Sequence, residues 1–232
     1  MPIVDSLCWF CLQPLAIPQQ SICSVCLRHL PPLPVCCPRC GLPAPENSEL
    51  CNQCKHHPPR WQRLIAVSDY LGPVKYLITR LKFYGEDKYA PLLSRLLLLA
   101  WLNARRTQLL SKPDIIITVP LHHTRRWRRG FNQTEPIGRR LAKWIGCPFN
   151  PTLVVRHRST PPQQSLSAYD RQYNLQHAFS CNQRLDGLHI ALLDDIVTTG
   201  NTVAEISNLL LKNGAASVQI WCLCRTLKND QQ

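Results

Sequence analysis

Eight cysteines near the start of the chain are spaced as metal ligands. They form four Cys-x-x-Cys pairs: Cys8/Cys11, Cys23/Cys26, Cys37/Cys40 and Cys51/Cys54. Two such pairs can place four thiolates around one Zn²⁺ at about 2.3 Å, and a closed four-sulfur site is structural. Eleven residues separate Cys11 from Cys23 and ten separate Cys40 from Cys51. The segment therefore reads as an internal duplication. A unit of about 28 residues buries too little apolar surface to fold alone, so metal binding becomes its folding energy. Sequential pairing (Cys8, Cys11, Cys23, Cys26, then Cys37, Cys40, Cys51, Cys54) needs only short loops, and spacing alone also leaves interleaved pairing open. A redox function would need one pair, not four. Cys36 reads as a spare thiol beside a ligand; Cys147, Cys181, Cys222 and Cys224 lack partner spacing and read as core residues.

The second constellation is Asp194-Asp195-Ile196-Val197-Thr198-Thr199-Gly200-Asn201-Thr202. Two carboxylates end an apolar run, and hydroxyls, a glycine and a helix start follow. Backbone N–H groups and hydroxyls at a helix N-terminus bind phosphate, with the helix dipole adding roughly 0.3–2 kcal/mol. Carboxylates beside a phosphate repel it unless sugar hydroxyls or Mg²⁺ occupy them. The order thus suits a phosphorylated sugar, phosphate at one end and diol at the other. An acidic strand end followed by a capped turn is the plainer reading of the same residues.

The third is basic. Residues 122–158 hold nine Lys or Arg against the single acid Glu135, and Trp127 interrupts Arg125, Arg126, Arg128 and Arg129. Guanidinium forks suit phosphates, and an interleaved indole can stack a base at about 1–3 kcal/mol. Pyrophosphate handling, contact with single-stranded DNA through Arg125, Arg126, Trp127 and Arg128, and a solvated loop all remain open. Ser159 to Ser167 is polar and rich in breakers, as a lid would be.

Elements must hold these groups in place. The chain has 232 residues, 45% of them apolar and 18% charged, enough for a packed core and against disorder. Its net charge of +13 is uneven. Residues 1–60 carry four basic and three acidic side chains, and residues 61–232 carry 23 and 11. An acidic partner therefore meets the second segment. His56-His57-Pro58-Pro59-Arg60 reads as a linker between them. Leu64–Val67 reads as a strand, and Val74, Leu77, Ile78 and Leu81 mark a helix ending near Gly85. Tyr89 to about Leu110 reads as a longer helix. The runs Ile115–Pro120 and Ile190–Leu193 suit strands buried on both faces of a parallel sheet. Helices over Pro136–Ile145 and Val203–Lys212 and a strand over Ser217–Cys224 complete an α/β order with a right-handed crossover. The start of the chain lacks a basic n-region and an apolar h-region, and the longest apolar run, Leu96 to Leu102, is far below the roughly 20 residues of a membrane helix. A cytoplasmic protein with reduced thiols and no membrane insertion is expected.

Ile190 to Thr202 resembles the phosphoribosyl-pyrophosphate (PRPP) motif of type I phosphoribosyltransferases: an apolar strand, two acids, then a Thr-Gly-x-Thr loop. More narrowly, Leu81-Lys82-Phe83-x-Gly85, Arg129-Gly130-Phe131-Asn132-Gln133 after Val119-Pro120-Leu121, and Arg171-x-x-Asn174 before Ala178-Phe179 are similar to the ComF family. Its members also carry N-terminal Cys-x-x-Cys pairs, and the GntX (YhgH-like) branch is nearest. The resemblance covers nearly the whole chain. It implies a zinc-ribbon-like module at 1–60 with two structural Zn²⁺, and a type I phosphoribosyltransferase-like parallel sheet with helices at 61–232. It also implies that Asp194 and Asp195 meet the ribose hydroxyls of PRPP and act in catalysis, while Thr198, Thr199, Gly200, Asn201 and Thr202 cradle its 5′-phosphate. Leu121, His122 and Arg129 would handle pyrophosphate with Mg²⁺, and part of Val155–Asn174 would close over the site. The implied function is a phosphoribosyltransferase-like protein that binds PRPP or a related nucleotide and acts in the use or uptake of DNA. A non-catalytic nucleotide- or single-stranded-DNA-binding protein that keeps the PRPP pocket is the rival. No acceptor is implied.

Overall fold

In the computed structural model, residues 7–17, 20–31, 33, 35–45, 49–84, 86–108, 110–121, 132–157 and 178–226 are described. The apolar runs form a four-stranded, all-parallel sheet from β1 (Arg63–Asp69), β2 (Ile115–Thr118), β5 (His189–Val197) and β6 (Ser217–Arg225), in the order β1-β6-β5-β2. Two short strands, β3 (Val155–Arg156) and β4 (Phe179–Ser180), pair antiparallel beside it. Ile117 lies opposite Leu192, and Leu192 opposite Ile220.

Both faces of the sheet are covered, which is why its strands read as unbroken apolar runs. Along β5, Ala191 and Leu193 pack into one buried cluster, and Ile190 and Leu192 into another. Side chains of period two account for the division. The first cluster takes in α3 (Gly72–Tyr84), α4 (Ala90–Gln108) and α5 (Thr134–Ile145); the second takes in α6 (Asn201–Lys212). In α5 the buried positions Thr134, Ile137, Gly138, Leu141 and Ala142 follow helical spacing. Gly138 is a packing glycine, since a Cβ there would lie 2.4 Å from the Phe149 ring. Thus α5 begins two residues before Pro136, and α6 begins at Asn201 rather than Val203. The strand expected at Ile190–Leu193 runs on to Val197, so that it includes Asp194 and Asp195, and the remaining expected elements stand within one or two residues of their expected positions.

The cysteine units carry little regular structure: α1 (Ser24–Arg28) and α2 (Asn52–His56), each starting just after the first cysteine of a second pair and containing the other. The duplication is nevertheless visible in the backbone. Leu7 bridges Pro14 and Cys36 bridges Pro43. Leu12 N–H donates to Cys8 O at 2.9 Å, as Gly41 N–H does to Cys37 O at 2.8 Å. The units dock on different parts of the fold. Cys8 and Ile22 belong to the α3/α4 cluster, whereas the second unit meets β1, β6 and α6 through Gly41, Leu42 and Trp61. Residues 57–62 carry no helix or strand, as the paired prolines require, but they are pinned: Arg39 donates to Pro59 O from Nε and Nη2, each at 3.2 Å. Among the described residues, no helix is long and apolar enough to cross a membrane.

Candidate phosphate site and cysteine centres

The sulfurs of Cys8, Cys11, Cys23 and Cys26 lie within 4.8 Å of one another, and so do those of Cys37, Cys40, Cys51 and Cys54. Pairing is therefore sequential. Cys11 Sγ stands 3.8 Å from Cys23 Sγ, and Cys40 Sγ 3.6 Å from Cys51 Sγ. Tetrahedral Zn–S bonds of about 2.3 Å would separate sulfurs by about 3.8 Å, so both tetrads fit a four-coordinate zinc. The electrostatics agree. Burial raises the Cys8 thiol, but backbone N–H groups of Cys23, Cys11 and Phe10 outweigh it and bring it down to about 6. Burial likewise raises Cys37, and backbone N–H groups of Cys40, Cys51 and Arg39 bring it down to about 7. Burial and the neighbouring Cys51 and Cys37 sulfurs push Cys40 up to about 12, although Leu42 N–H and Cys54 oppose them. Such crowding of thiolates is what a divalent cation relieves. Cys36 joins neither tetrad and meets the Arg225 guanidinium; Cys222 and Cys224 are fully buried, and Cys147 and Cys181 sit at the edges of the clusters.

At the carboxyl end of β5, Asp194 and Asp195 are both half-buried. Lys82 of α3 pairs with Asp195 at 2.7 Å. Asp194 Oδ1 accepts from Asp195 N–H at 2.8 Å. Burial, then the Asp195 charge, pushes the Asp194 carboxyl up to about 7. Lys82 lies in the Leu81-Lys82-Phe83-x-Gly85 run, whose sequence marked it out but assigned it no role. The chain then turns through Thr198, Thr199 and Gly200 into α6. Gly200 has φ +77°, a conformation that favours glycine.

Thr198, Thr199, Gly200 and Asn201 line a cavity of about 580 Å³. Its other walls are Ala204, Glu205 and Asn208 of α6, Arg225 and Thr226 after β6, and the second cysteine unit through Cys40, Gly41, Leu42, Gln53, Cys54 and His57. Asp194, Asp195 and Thr202 do not line it. Trp61 ties the walls together. Its Nε1–H donates to Arg39 O, inside the Cys37–Cys40 loop, at 2.6 Å, and a Cβ at Gly200 would lie 3.4 Å from its ring. Sequence reading missed Trp61 and this juxtaposition. Nothing in residue spacing relates position 40 to position 200.

Leu121 is half-buried, three residues past β2. His122, Arg125, Arg126, Trp127, Arg128 and Arg129 lie outside the described residues, as do Arg171, Asn174 and the segment Ser159–Ser167. The chain returns at Asn132, which is buried: its Nδ2 donates to Val119 O at 3.0 Å and its Oδ1 accepts from Thr134 Oγ1 at 2.7 Å. Asn132 thereby fastens the end of the basic segment to the end of β2.

The family model described as "Phosphoribosyl transferase domain" matches residues 131–231. A DNA utilization protein YhgH of Salmonella typhi is 49% identical over 227 residues, covering 98% of this chain and 100% of that protein. Competence protein F of Haemophilus influenzae is 37% identical over 221 residues, covering 94% and 96%. Competence protein ComFC of Bacillus subtilis is 26% identical over 226 residues, covering 90% and 86%. Identity of this extent runs through the cysteine units and the parallel sheet alike, and the chain belongs to the ComF/YhgH family, with a phosphoribosyltransferase-type fold in its second part.

Proposed function

We propose that the chain is a phosphoribosyltransferase-like protein that binds PRPP, or a related phosphorylated sugar or nucleotide, together with Mg²⁺ and serves the use or uptake of DNA. In this reading it has a two-zinc cysteine module at 1–60 and a ligand-binding part at 61–232. The observation that carries it is the end of β5, where two half-buried carboxylates stand one loop away from a glycine turn that opens a twelve-residue helix. Backbone N–H groups and hydroxyls of Thr198–Thr202 would hold the 5′-phosphate. Asp194 and Asp195 would accept from the ribose hydroxyls, and Lys82 would hold Asp195 in place. Mg²⁺ would neutralise pyrophosphate charge as it leaves. The names and functions of the relatives, DNA utilization and competence, support the metabolic setting. The +8 balance of residues 122–158 supports a second partner, single-stranded DNA, on Arg125, Arg126, Trp127 and Arg128, with pyrophosphate on Leu121, His122 and Arg129.

Calorimetric titration with Mg-PRPP tests the reading. Wild type is expected to bind. Asp195→Asn is expected to weaken binding by removing a ribose or metal contact, and Gly200→Val to abolish it by closing the backbone approach and straining φ +77°. Absence of binding to wild type contradicts the reading.

A further inference from the structure

The second cysteine unit does more than cap the fold. Two of the four cysteines of its tetrad, Cys40 and Cys54, stand in the wall of the cavity whose opposite side is Thr198–Asn201. Trp61 joins the two sides, with its N–H on the carbonyl of Arg39 and its ring against Gly200. Leu64 N–H also holds the loop, donating to Pro38 O at 3.2 Å. Beneath it lies Arg63, which faces Cys36 and Cys37; its Nε and Nη1 are buried without a hydrogen-bond partner among the described residues. Two guanidinium nitrogens buried without a hydrogen bond are favoured by a nearby negative charge. A metal bound by four thiolates carries two negative charges and supplies it. The first tetrad has different surroundings: Trp9 meets Tyr89 edge-on at 5.0 Å, and Arg95 Nη1 donates to Gln20 O at 3.2 Å, on the α3/α4 side of the sheet.

We propose that the second tetrad completes the ligand site. A metal ion at Cys37, Cys40, Cys51 and Cys54 and a phosphorylated ligand at Thr198–Asn201 bind cooperatively, with Trp61 as the positioning residue between them. The first tetrad holds its metal independently of ligand. This rests on the reading of Thr198–Asn201 as a phosphate loop. Without metal nothing ties the four sulfurs together, the Cys37–Cys40 loop opens, and Trp61 loses its anchor and the loop its wall. Linkage makes the effect reciprocal: ligand raises the affinity of the second tetrad for its metal by the factor by which that metal tightens ligand, and slower metal release is its readout.

The test measures zinc release from the full chain into excess chelator, with and without saturating Mg-PRPP. Two phases are expected, and Mg-PRPP should slow one of them at least tenfold. Cys23→Ser should retain the protected phase and Cys51→Ser the unprotected one. Trp61→Phe keeps an aromatic ring but loses the N–H to Arg39 O and the outer edge of the indole against Gly200; it should bind both zinc and Mg-PRPP while the protection of the Cys51-dependent phase alone shrinks severalfold. Binding of Mg-PRPP by calorimetry with neither phase slowed, or both slowed equally, overturns the linkage and leaves the phosphate-loop reading standing. No Mg-PRPP binding at all overturns both.

Discussion

The two cysteine units follow one plan and part at the residue where each loop turns back. Leu12 and Gly41 occupy matching places after Cys8 and Cys37, and both adopt a left-handed backbone, φ +58° and +77°. Leu12 faces solvent, so its side chain costs only the backbone strain. At Gly41 a Cβ would lie 2.9 Å from Leu64 and 3.2 Å from Arg225. The glycine lets the second unit press against β1 and the end of β6, and so brings its metal site to the cavity. One plan, repeated, gives two cysteine tetrads, and one small residue lets the second stand in the wall of the cavity.

The largest expected effects come from the ligands. Either Cys23→Ser or Cys51→Ser removes a site whose metal contributes roughly 10 kcal/mol or more to local folding. Each should lower zinc content by one ion, read by metal analysis. Only Cys51→Ser should also weaken Mg-PRPP binding; equal losses in both variants would erase the contrast. Gly41→Val is expected next, destabilising by about 2–4 kcal/mol through left-handed strain and overpacking, with weaker Mg-PRPP binding by calorimetry. Retained stability in thermal unfolding would show that close approach is not needed.

The ligand side should also respond to pH through Asp194. Its carboxyl titrates near 7 instead of near 4 because burial and Asp195 disfavour its charge. A folded-state value above the unfolded one means that stability falls as pH rises from about 4 to 7, by at most about 4 kcal/mol and by less once partial exposure is allowed for. Asp194→Asn should flatten that slope in denaturant titrations at several pH values. An unchanged slope would place the titration elsewhere. The smallest effect belongs to the first unit: Leu12→Gly should relieve strain and stabilise by about 0.5 kcal/mol, net of glycine's entropy cost, with no change in Mg-PRPP binding.

Much of this was legible in the sequence because it is local. Matched Cys-x-x-Cys gaps announce tetrads, and Ile190–Leu193 announces a strand buried on both faces. The sequential pairing follows from loop length, which spacing suggests and the sulfur positions bear out. The Lys82–Asp195 pair and the Trp61 bridge were not legible. They join segments more than a hundred residues apart, and only the register of β1 beside β6, and β6 beside β5, brings them together. The same holds for the expected linker His56–Arg60: its prolines exclude regular structure after His56, which ends α2, yet do not reveal that Arg39 fastens Pro59. Gly41 was silent for a similar reason: its neighbours, Leu64 and Arg225, lie far along the chain.

The contrast between the two metal sites can be seen most directly by metal NMR of the cadmium-loaded full chain titrated with Mg-PRPP. Two four-sulfur resonances are expected, assigned by their separate disappearance in Cys23→Ser and Cys51→Ser. Ligand should shift the Cys51-dependent resonance and leave the Cys23-dependent one in place. A titration that binds Mg-PRPP yet moves neither resonance, or moves the Cys23-dependent one alone, contradicts the account.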